Sequence, residues 1–350
     1  MARQFDGEVI LAVERALPAD RRAQGWRTAH HTHVNVVDIS IPANHAAVAA
    51  HADASSLHVF SGFFSHRLVW AGFRRLAPSS ARLAMFSEAP EQPWATGWIK
   101  RLRGRMLAAR WARRFAFVLA IGGVGCEFFR RIGFPEDKIV PFGYYLDVPP
   151  LAASAARSAA DGLVRLVSAG QLVHRKGIDV LLRACARLPR HGWRLDCLGD
   201  GRERPRLEQL ARALGLDGQV FFRGVVGNDS ICSALGQADC AVLPSRFDGW
   251  GTLVNESLAA GTPVICTSTS GAAVLVSSPR MGDVVPPNDP VSLATALARV
   301  ITKGPVSQAD RAGIRAEVAA RASAAWAAGR FEHLLEAMFP AASCPAAGRS

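Results

Sequence analysis

The stretch Val242–Thr267, VLPSRFDGWGTLVNESLAAGTPVICT, decides how the second half of this chain folds. It begins inside an apolar run, DCAVLP, that reads as a buried strand. A glycine-rich bend follows and carries Asp248. TLVNESLAA then has a helical pattern closed by Gly261, and TPVICT is again strand-like. Strand, bend, helix and strand in that order form one unit of a parallel sheet covered on both faces. Gly249 and Gly251 allow the backbone to bend sharply and approach a ligand. The helix start beyond them offers unpaired N–H groups and a positive dipole end, which suit a phosphate. Glu256 lies one turn into the helix, on the face of Thr252. A carboxylate there can accept hydrogen bonds from sugar hydroxyls, as the acid of a dinucleotide fold does from ribose. The same spacing also fits a plain turn whose two acids only cap and solvate, and spacing alone leaves both readings open.

Working outward, the alternation continues. VRLVSAG (Val164–Gly170) reads as a strand, GIDVLLRACARL as a helix and WRLDCLGDG as a strand ending in a glycine turn. RERPRLEQLARALGL is an amphipathic helix closed by Gly215, QVFFRG a strand and NDSICSALGQA a short helix. Asp289 and Pro290 stand in the order expected at the entry of the helix NDPVSLATALARVI. In such sheets ligands sit at the carboxyl ends of the strands. The first half holds the strand-like runs GEVILAV, VNVVDIS, LHVFSG, ARLAMFS and FVLAIG, and forms a second α/β unit. The division expected is a first α/β domain over 1–147, a Pro/Ala/Ser-rich linker over 148–162 and a second α/β domain over 163–305. A segment with a long helical pattern spans 306–338, and a disordered tail is expected over 339–350.

Composition bounds the function. The chain has 350 residues, 49% hydrophobic and 20% charged, which is a globular composition long enough for two domains. A net charge of +12 favours phosphates, nucleic acid or anionic lipid as neighbours. No uninterrupted apolar run of about 18 residues is present, so no spanning helix is expected. The N-terminus lacks the basic-then-apolar order of a signal peptide. Seven scattered cysteines without a C-x-x-C pair point to reduced thiols in the cytoplasm. No D-x-D pair or metal-ligand spacing occurs, and HHTH (His30–His33) is read as a loop. No nucleic-acid-binding module is recognisable.

Several ordered motifs together resemble the family 4 glycosyltransferases, retaining enzymes of the GT-B fold. SRFDGWGTLVNESLAAGTPVI is similar to their acid-x7-Glu signature, with Asp248 where Glu is usual. SAGQLVHRKGIDVLLRA and CLGDGRERPRLEQLARALGLDGQVFFRG resemble the family's upstream segments, and SGAAVLV and GDVVPPNDPVSLATAL its downstream ones. VLAIGGVGCEFFRRIGFPEDKIVPFGYYLD resembles the end of its acceptor domain. The likeness covers about residues 115–305 well. It implies two doubly wound Rossmann-like domains with a cleft between them. It also implies transfer from a UDP- or GDP-sugar to a glycan or lipid-linked acceptor, without a metal or other cofactor, in bacterial surface polysaccharide or lipopolysaccharide assembly.

The resemblance assigns roles by residue. Asp248 would contact the donor sugar. Gly249, Trp250 and Gly251 would lie against the diphosphate through their amides, and Glu256 would hold the ribose. Lys176 would neutralise the phosphates of the leaving group, although a lysine before a helix is otherwise an ordinary surface residue. Arg223 would line the base pocket or simply end a strand. Gln171 stands where the family has arginine, so Arg175 or another cation would take over that charge. The family's first strand and glycine-rich loop are expected to be absent, because FDGEVILAV resembles its second strand.

In the acceptor half, SEAP places Ser87 and Glu88 where many relatives have histidine after a strand. Glu88 would bind donor or acceptor hydroxyls, or pair with an arginine. His58 and His66 are expected to be structural or surface residues. Seven basic residues are interleaved with Trp98, Ile99, Leu102, Met106, Leu107 and Trp111 over Gly97–Arg114. That pattern suits docking on an anionic membrane, for a cytoplasmic protein peripheral on the inner face, or a helix packed on its domain with a cationic outer side. The reading in a different class is a weakly active or inactive subunit that binds nucleotide sugar and scaffolds a partner transferase. Gln171 and the absent first loop favour that reading, while Asp248, Glu256 and Lys176 favour the enzyme.

Overall fold

Alternating strands and helices build two parallel sheets in the computed structural model, which describes residues 10–13, 35–38, 50, 52–62, 67–91, 97–146 and 162–339. Strands β1 (Ile10–Val13) and β2 (Asn35–Asp38) pair in parallel with each other. Then follow β3 (Leu57–Ser61), α1 (Arg67–Leu76), β4 (Arg82–Ser87), α2 (Gly97–Trp111), β5 (Phe117–Ile121), α3 (Gly122–Ile132) and β6 (Ile139–Phe142). The sheet order is β3-β4-β5-β6, all parallel. Every residue of β5 is buried, as a strand covered on both faces requires. Beneath the helices a stacked ring pair, Phe73 and Phe115, 4.8 Å apart, joins α1 to the entry of β5.

The second unit runs β7 (Val164–Ala169), α4 (Ile178–Cys185), β8 (Trp193–Leu198), α5 (Arg204–Ala213), β9 (Val220–Gly224), α6 (Asn228–Gln237) and β10 (Cys240–Leu243). It continues with α7 (Thr252–Ala259), β11 (Val264–Thr267), β12 (Gly282–Val285) and α8 (Pro290–Lys303). The sheet order is β12-β11-β10-β7-β8-β9, again all parallel. Leu166, Leu195, Val242 and Ile265 are fully buried in it. Each such side chain stabilises the fold by roughly 1.5–3 kcal/mol. The strand order reverses between β7 and β10, so the loops leaving their carboxyl ends flank the crevice where open α/β sheets take ligands.

The five strand-like runs of the first half all contain strands, and the expected cap at Asp289 is present: its carboxylate accepts from the amides of Val291 and Ser292. Two strands escaped the pattern. β6 and β12 lack a continuous apolar run: Pro141 interrupts β6, and β12 opens on Gly282 and Asp283. The C-terminal helical segment is made of two helices, α9 (Gln308–Arg321) and α10 (Ala324–Met338). Ser323 breaks it, because its hydroxyl caps α10 by accepting from the Trp326 amide at 3.1 Å. The break lets α10 cross back to the first sheet, where Phe331 lies 6.3 Å from Phe117 and 6.4 Å from Phe142. At the crossing the Ala324 amide donates to the Leu146 carbonyl, so two strands of chain join the units side by side. His30–His33, His66, residues 148–161 of the expected linker and residues 340–350 of the expected tail lie outside the described residues.

Candidate functional site

The β7 loop and the β10 loop meet over the crevice. After β7 the chain makes one 3-10 turn, His174–Lys176, and enters α4 through Gly177. Gly177 has φ 68°, and a Cβ there would collide with the Pro244 carbonyl, so this close approach of the loops requires glycine. A charged clamp fixes it. Arg246 donates to both carboxylate oxygens of Asp179 at 2.8 Å and to the His174 carbonyl at 2.7 Å. Arg183 adds a third bond to Asp179, at 3.0 Å.

This clamp places Lys176 against Asp248: Nζ and Oδ2 are 2.5 Å apart. Arg175 stands behind, 3.8 Å from Oδ1 of the same carboxylate. Asp248 is buried, so its charge is met by two cations rather than by water. Glu256 faces Lys176 from one turn into α7. Burial pushes its carboxyl above the ordinary value, and the Lys176 charge pulls it back down. Among the described residues the Glu256 carboxylate has no hydrogen-bond partner. The amides of Gly249, Trp250 and Gly251 likewise have no acceptor among the described residues. A half-buried acid with free acceptor positions beside three free donors and a lysine can hold a ligand that is both anionic and hydroxylated.

The other wall of the crevice comes from the first unit. A cleft of about 470 Å³ is lined by Ser61, Glu88 and Tyr144 on one side and Arg175, Asp248 and Gly249 on the other. Glu88 reaches across so closely that a Cβ on Gly249 would strike its carboxylate. Trp250 turns the other way. Its ring is buried and fills the space that a side chain at Gly143 would need, and its indole N–H donates to Asn255 Oδ1 at 2.6 Å. Asn255 passes the connection on, donating to the Tyr144 carbonyl at 2.7 Å. The Trp250 side chain therefore joins the two units, while its amide remains at the bend.

Lys176, Arg175, Asp248, Gly249, Gly251, Glu256 and Glu88 are thus brought together as the sequence suggested. Gln171 sits exposed on the Lys176 loop, and its side chain bonds none of the described residues. Arg223, read as lining a base pocket or simply ending a strand, has its guanidinium bonded to Asp196 at 2.6 Å and over the Phe221 ring, at the end of β9. Sequence reasoning missed Tyr144, Asn255 and the Asp179–Arg246 clamp. All three act through contacts between segments 67 to 111 residues apart, which no local pattern records. Among the described residues no group of three or more His, Cys, Asp or Glu side chains is placed to hold a metal ion.

Comparison with known proteins bears on the family and the fold. Residues 154–317 match the family described as Glycosyl transferases group 1. The lipopolysaccharide core biosynthesis glycosyltransferase LpsE of Rhizobium meliloti is 36% identical over 136 residues, 39% of this chain and 39% of that one. The putative colanic acid biosynthesis glycosyltransferase WcaL of Escherichia coli is 29% identical over 194 residues, 53% of this chain and 48% of that one. The matched stretch therefore spans less than half of either relative. Among solved structures, Anabaena Alr3699/HepE in complex with UDP superposes with a TM-score of 0.72 at 17% identity, over 94% of this chain and 92% of that one. The shared architecture is GT-B: two parallel-sheet α/β units with a cleft between them.

The clamp predicts an acid response. Burial raises the Asp179 carboxyl, but the hydrogen bonds and charges of Arg246 and Arg183 outweigh it and hold the group at about 2, below its ordinary 3.8. A folded value below the unfolded one means that stability is fully present above about pH 4 and is lost as pH falls through about 2. Urea midpoints of the wild type should exceed those of Asp179→Asn by a constant margin above pH 5. That margin should shrink toward pH 2. A margin independent of pH would show that the Asp179 charge contributes nothing.

Proposed function

From the premise that the chain carries a glycosyl transferase group 1 domain, we propose that it transfers a sugar from a nucleoside diphosphate sugar to a glycan or lipid-linked acceptor, with retention of configuration. The observation that carries this reading is Glu256: a half-buried carboxylate without a hydrogen bond among the described residues, facing Lys176 one turn beyond three amides that likewise lack an acceptor there. Glu256 takes the ribose hydroxyls, and the amides of Gly249, Trp250 and Gly251 take the diphosphate. Asp248 and Glu88 face the sugar from opposite walls. As the donor bond breaks, negative charge gathers on the leaving phosphate. Lys176 and Arg175 meet it, a role that does not call on a metal ion. Asp248 holds both cations in place until the phosphate arrives. The relatives' names, in lipopolysaccharide core and colanic acid synthesis, support an acceptor of bacterial surface polysaccharide type.

Lys176→Ala tests the reading. Its partner charge is larger in the transition state than in the bound donor, so kcat should fall by roughly a hundredfold or more with a modest change in donor KM. Transfer or hydrolysis of a panel of UDP- and GDP-sugars measures it. A wild type that binds such a donor and never turns it over would favour the scaffold reading. Full activity in Lys176→Ala would remove the phosphate role.

The acceptor half supports a membrane-facing orientation. On α2 the side chains of Trp98, Leu102 and Met106 recur at four-residue spacing, and all three are exposed, as is Ile99. Arg101, Arg103, Arg105 and Arg110 are exposed beside them, while Ala108 and Gly104 face the domain, Gly104 against Ile132. Among the described residues no helix is long and apolar enough to cross a membrane. An apolar row flanked by guanidinium groups fits the surface of an anionic bilayer, on the cytoplasmic face where nucleotide sugars are supplied. The protein should sediment with anionic vesicles and be released by high salt, and Arg103→Glu with Arg110→Glu should abolish the binding. Equal binding to neutral vesicles, or none to either, would make α2 an ordinary surface helix.

A further inference from the structure

Asn255 stands in the middle of α7, one residue before Glu256, and only 5% of it is exposed. The buried residues around it on the helix, Val254, Leu258 and Ala259, are apolar. An asparagine there lowers helix propensity and takes two polar ends out of water, so its bonds rather than the helix account for it. Both ends are satisfied. The Oδ1 atom accepts from the Trp250 indole N–H at 2.6 Å, and Nδ2 donates to the Tyr144 carbonyl at 2.7 Å. The indole can only donate and the carbonyl can only accept, so the carboxamide has one workable orientation.

The two partners belong to different units. Trp250 lies inside the bend whose amides face the donor crevice. Its own carbonyl is already held within that unit, by the Ser270 hydroxyl at 2.7 Å and the Ala272 amide at 2.8 Å. Tyr144 follows β6 of the first unit and lines the cleft of about 470 Å³. Its ring stands edge-on to Phe86 at 5.4 Å and to Trp250 at 6.1 Å, one from each unit. The bend therefore keeps its shape without Asn255. What Asn255 adds is a hydrogen-bonded bridge from the bend to the wall that faces it, between segments 111 residues apart.

We propose that Asn255 is a positioning residue for sugar transfer: its carboxamide spans the seam and holds the first unit's wall of the cleft at a set distance from the donor bend. The inference rests on the donor reading above and deepens it, by separating the groups that bind the nucleotide from one that aligns the space around the sugar. Glu256 and the amides of the bend lie wholly within the second unit, so nucleotide affinity does not depend on the bridge. Turnover does, because the sugar lies between the two walls. A displacement of about 1 Å at a reacting centre costs up to roughly a hundredfold in rate.

Two substitutions test the bridge. Asn255→Leu removes both bonds and should lower kcat for UDP- or GDP-sugar consumption by roughly tenfold, with nucleotide affinity and stoichiometry by calorimetry changed less than about threefold. The Trp250 indole N–H resonance, identified by its loss in Trp250→Phe, should move in Asn255→Leu. Asn255→Asp keeps an acceptor for the indole, but only its protonated form can donate to the Tyr144 carbonyl. Its turnover relative to wild type should therefore approach unity near about pH 5.5 and fall to the level of Asn255→Leu near about pH 9. Glu256 is adjacent, and Glu317 and Arg321 line a cavity with Asn255. Dividing by the wild type at the same pH cancels their titration. An unmoved indole signal, full turnover in Asn255→Leu, or loss of nucleotide binding in parallel with turnover would each overturn the proposal. So would an Asn255→Asp ratio that is independent of pH, and that ratio decides if Asn255→Leu does not fold. If the wild type consumes no UDP- or GDP-sugar, the functional reading fails and this role with it. If the wild type turns over and Asn255→Leu matches it, the positioning role alone fails.

Discussion

The approach of the Lys176 turn to the Asp248 bend is the constraint on which the site depends. These segments lie 72 residues apart in the chain and on neighbouring strands of the sheet. Two like-charged groups, Arg175 and Lys176, would repel each other and any further cation brought near. Asp248 neutralises them in part, and the Asp179–Arg246 clamp holds the backbone that carries them. Gly177 makes the contact sterically possible. Remove any one, and Lys176 loses the fixed position from which it faces Glu256 and the free amides of the bend.

A second constraint joins this crevice to the other unit. Trp250 is the residue between Gly249 and Gly251, so the bend that presents its amides to a ligand also drives an indole into the seam at Gly143. Anchoring of this kind gives the bend a defined position without using any of its amide donors. The return of α10 to β5 and β6 closes the seam from the opposite side, with Phe331 between Phe117 and Phe142. The cleft therefore has walls set by packing and hydrogen bonds rather than by loop chemistry alone.

Much of the second unit was legible because its strands and helices are punctuated by glycine and by the Asp289–Pro290 entry, and because Asp248 and Glu256 sit at a fixed interval within one unit. The convergence of Lys176 with them also followed from the order of motifs. The Asp196 partner of Arg223 was not legible, since it lies on the neighbouring strand and strand neighbours cannot be read from one strand. The break at Ser323 was hidden by helix-favouring residues on both sides, although a serine at that point has the chemistry of a cap. Tyr144 and Asn255 carried no signal, because their importance lies in which distant segment each one touches.

The central claim is that the crevice between β7 and β10 holds a nucleoside diphosphate through Glu256 and the amides of the Asp248 bend. Calorimetric titration of UDP and GDP into the wild type and Glu256→Ala tests it most directly. Loss of a charged hydrogen-bond acceptor should weaken binding of one of these nucleotides by about ten- to a hundredfold, with the melting temperature little changed. Equal affinity in the two proteins, or no binding of either nucleotide to the wild type, would contradict it.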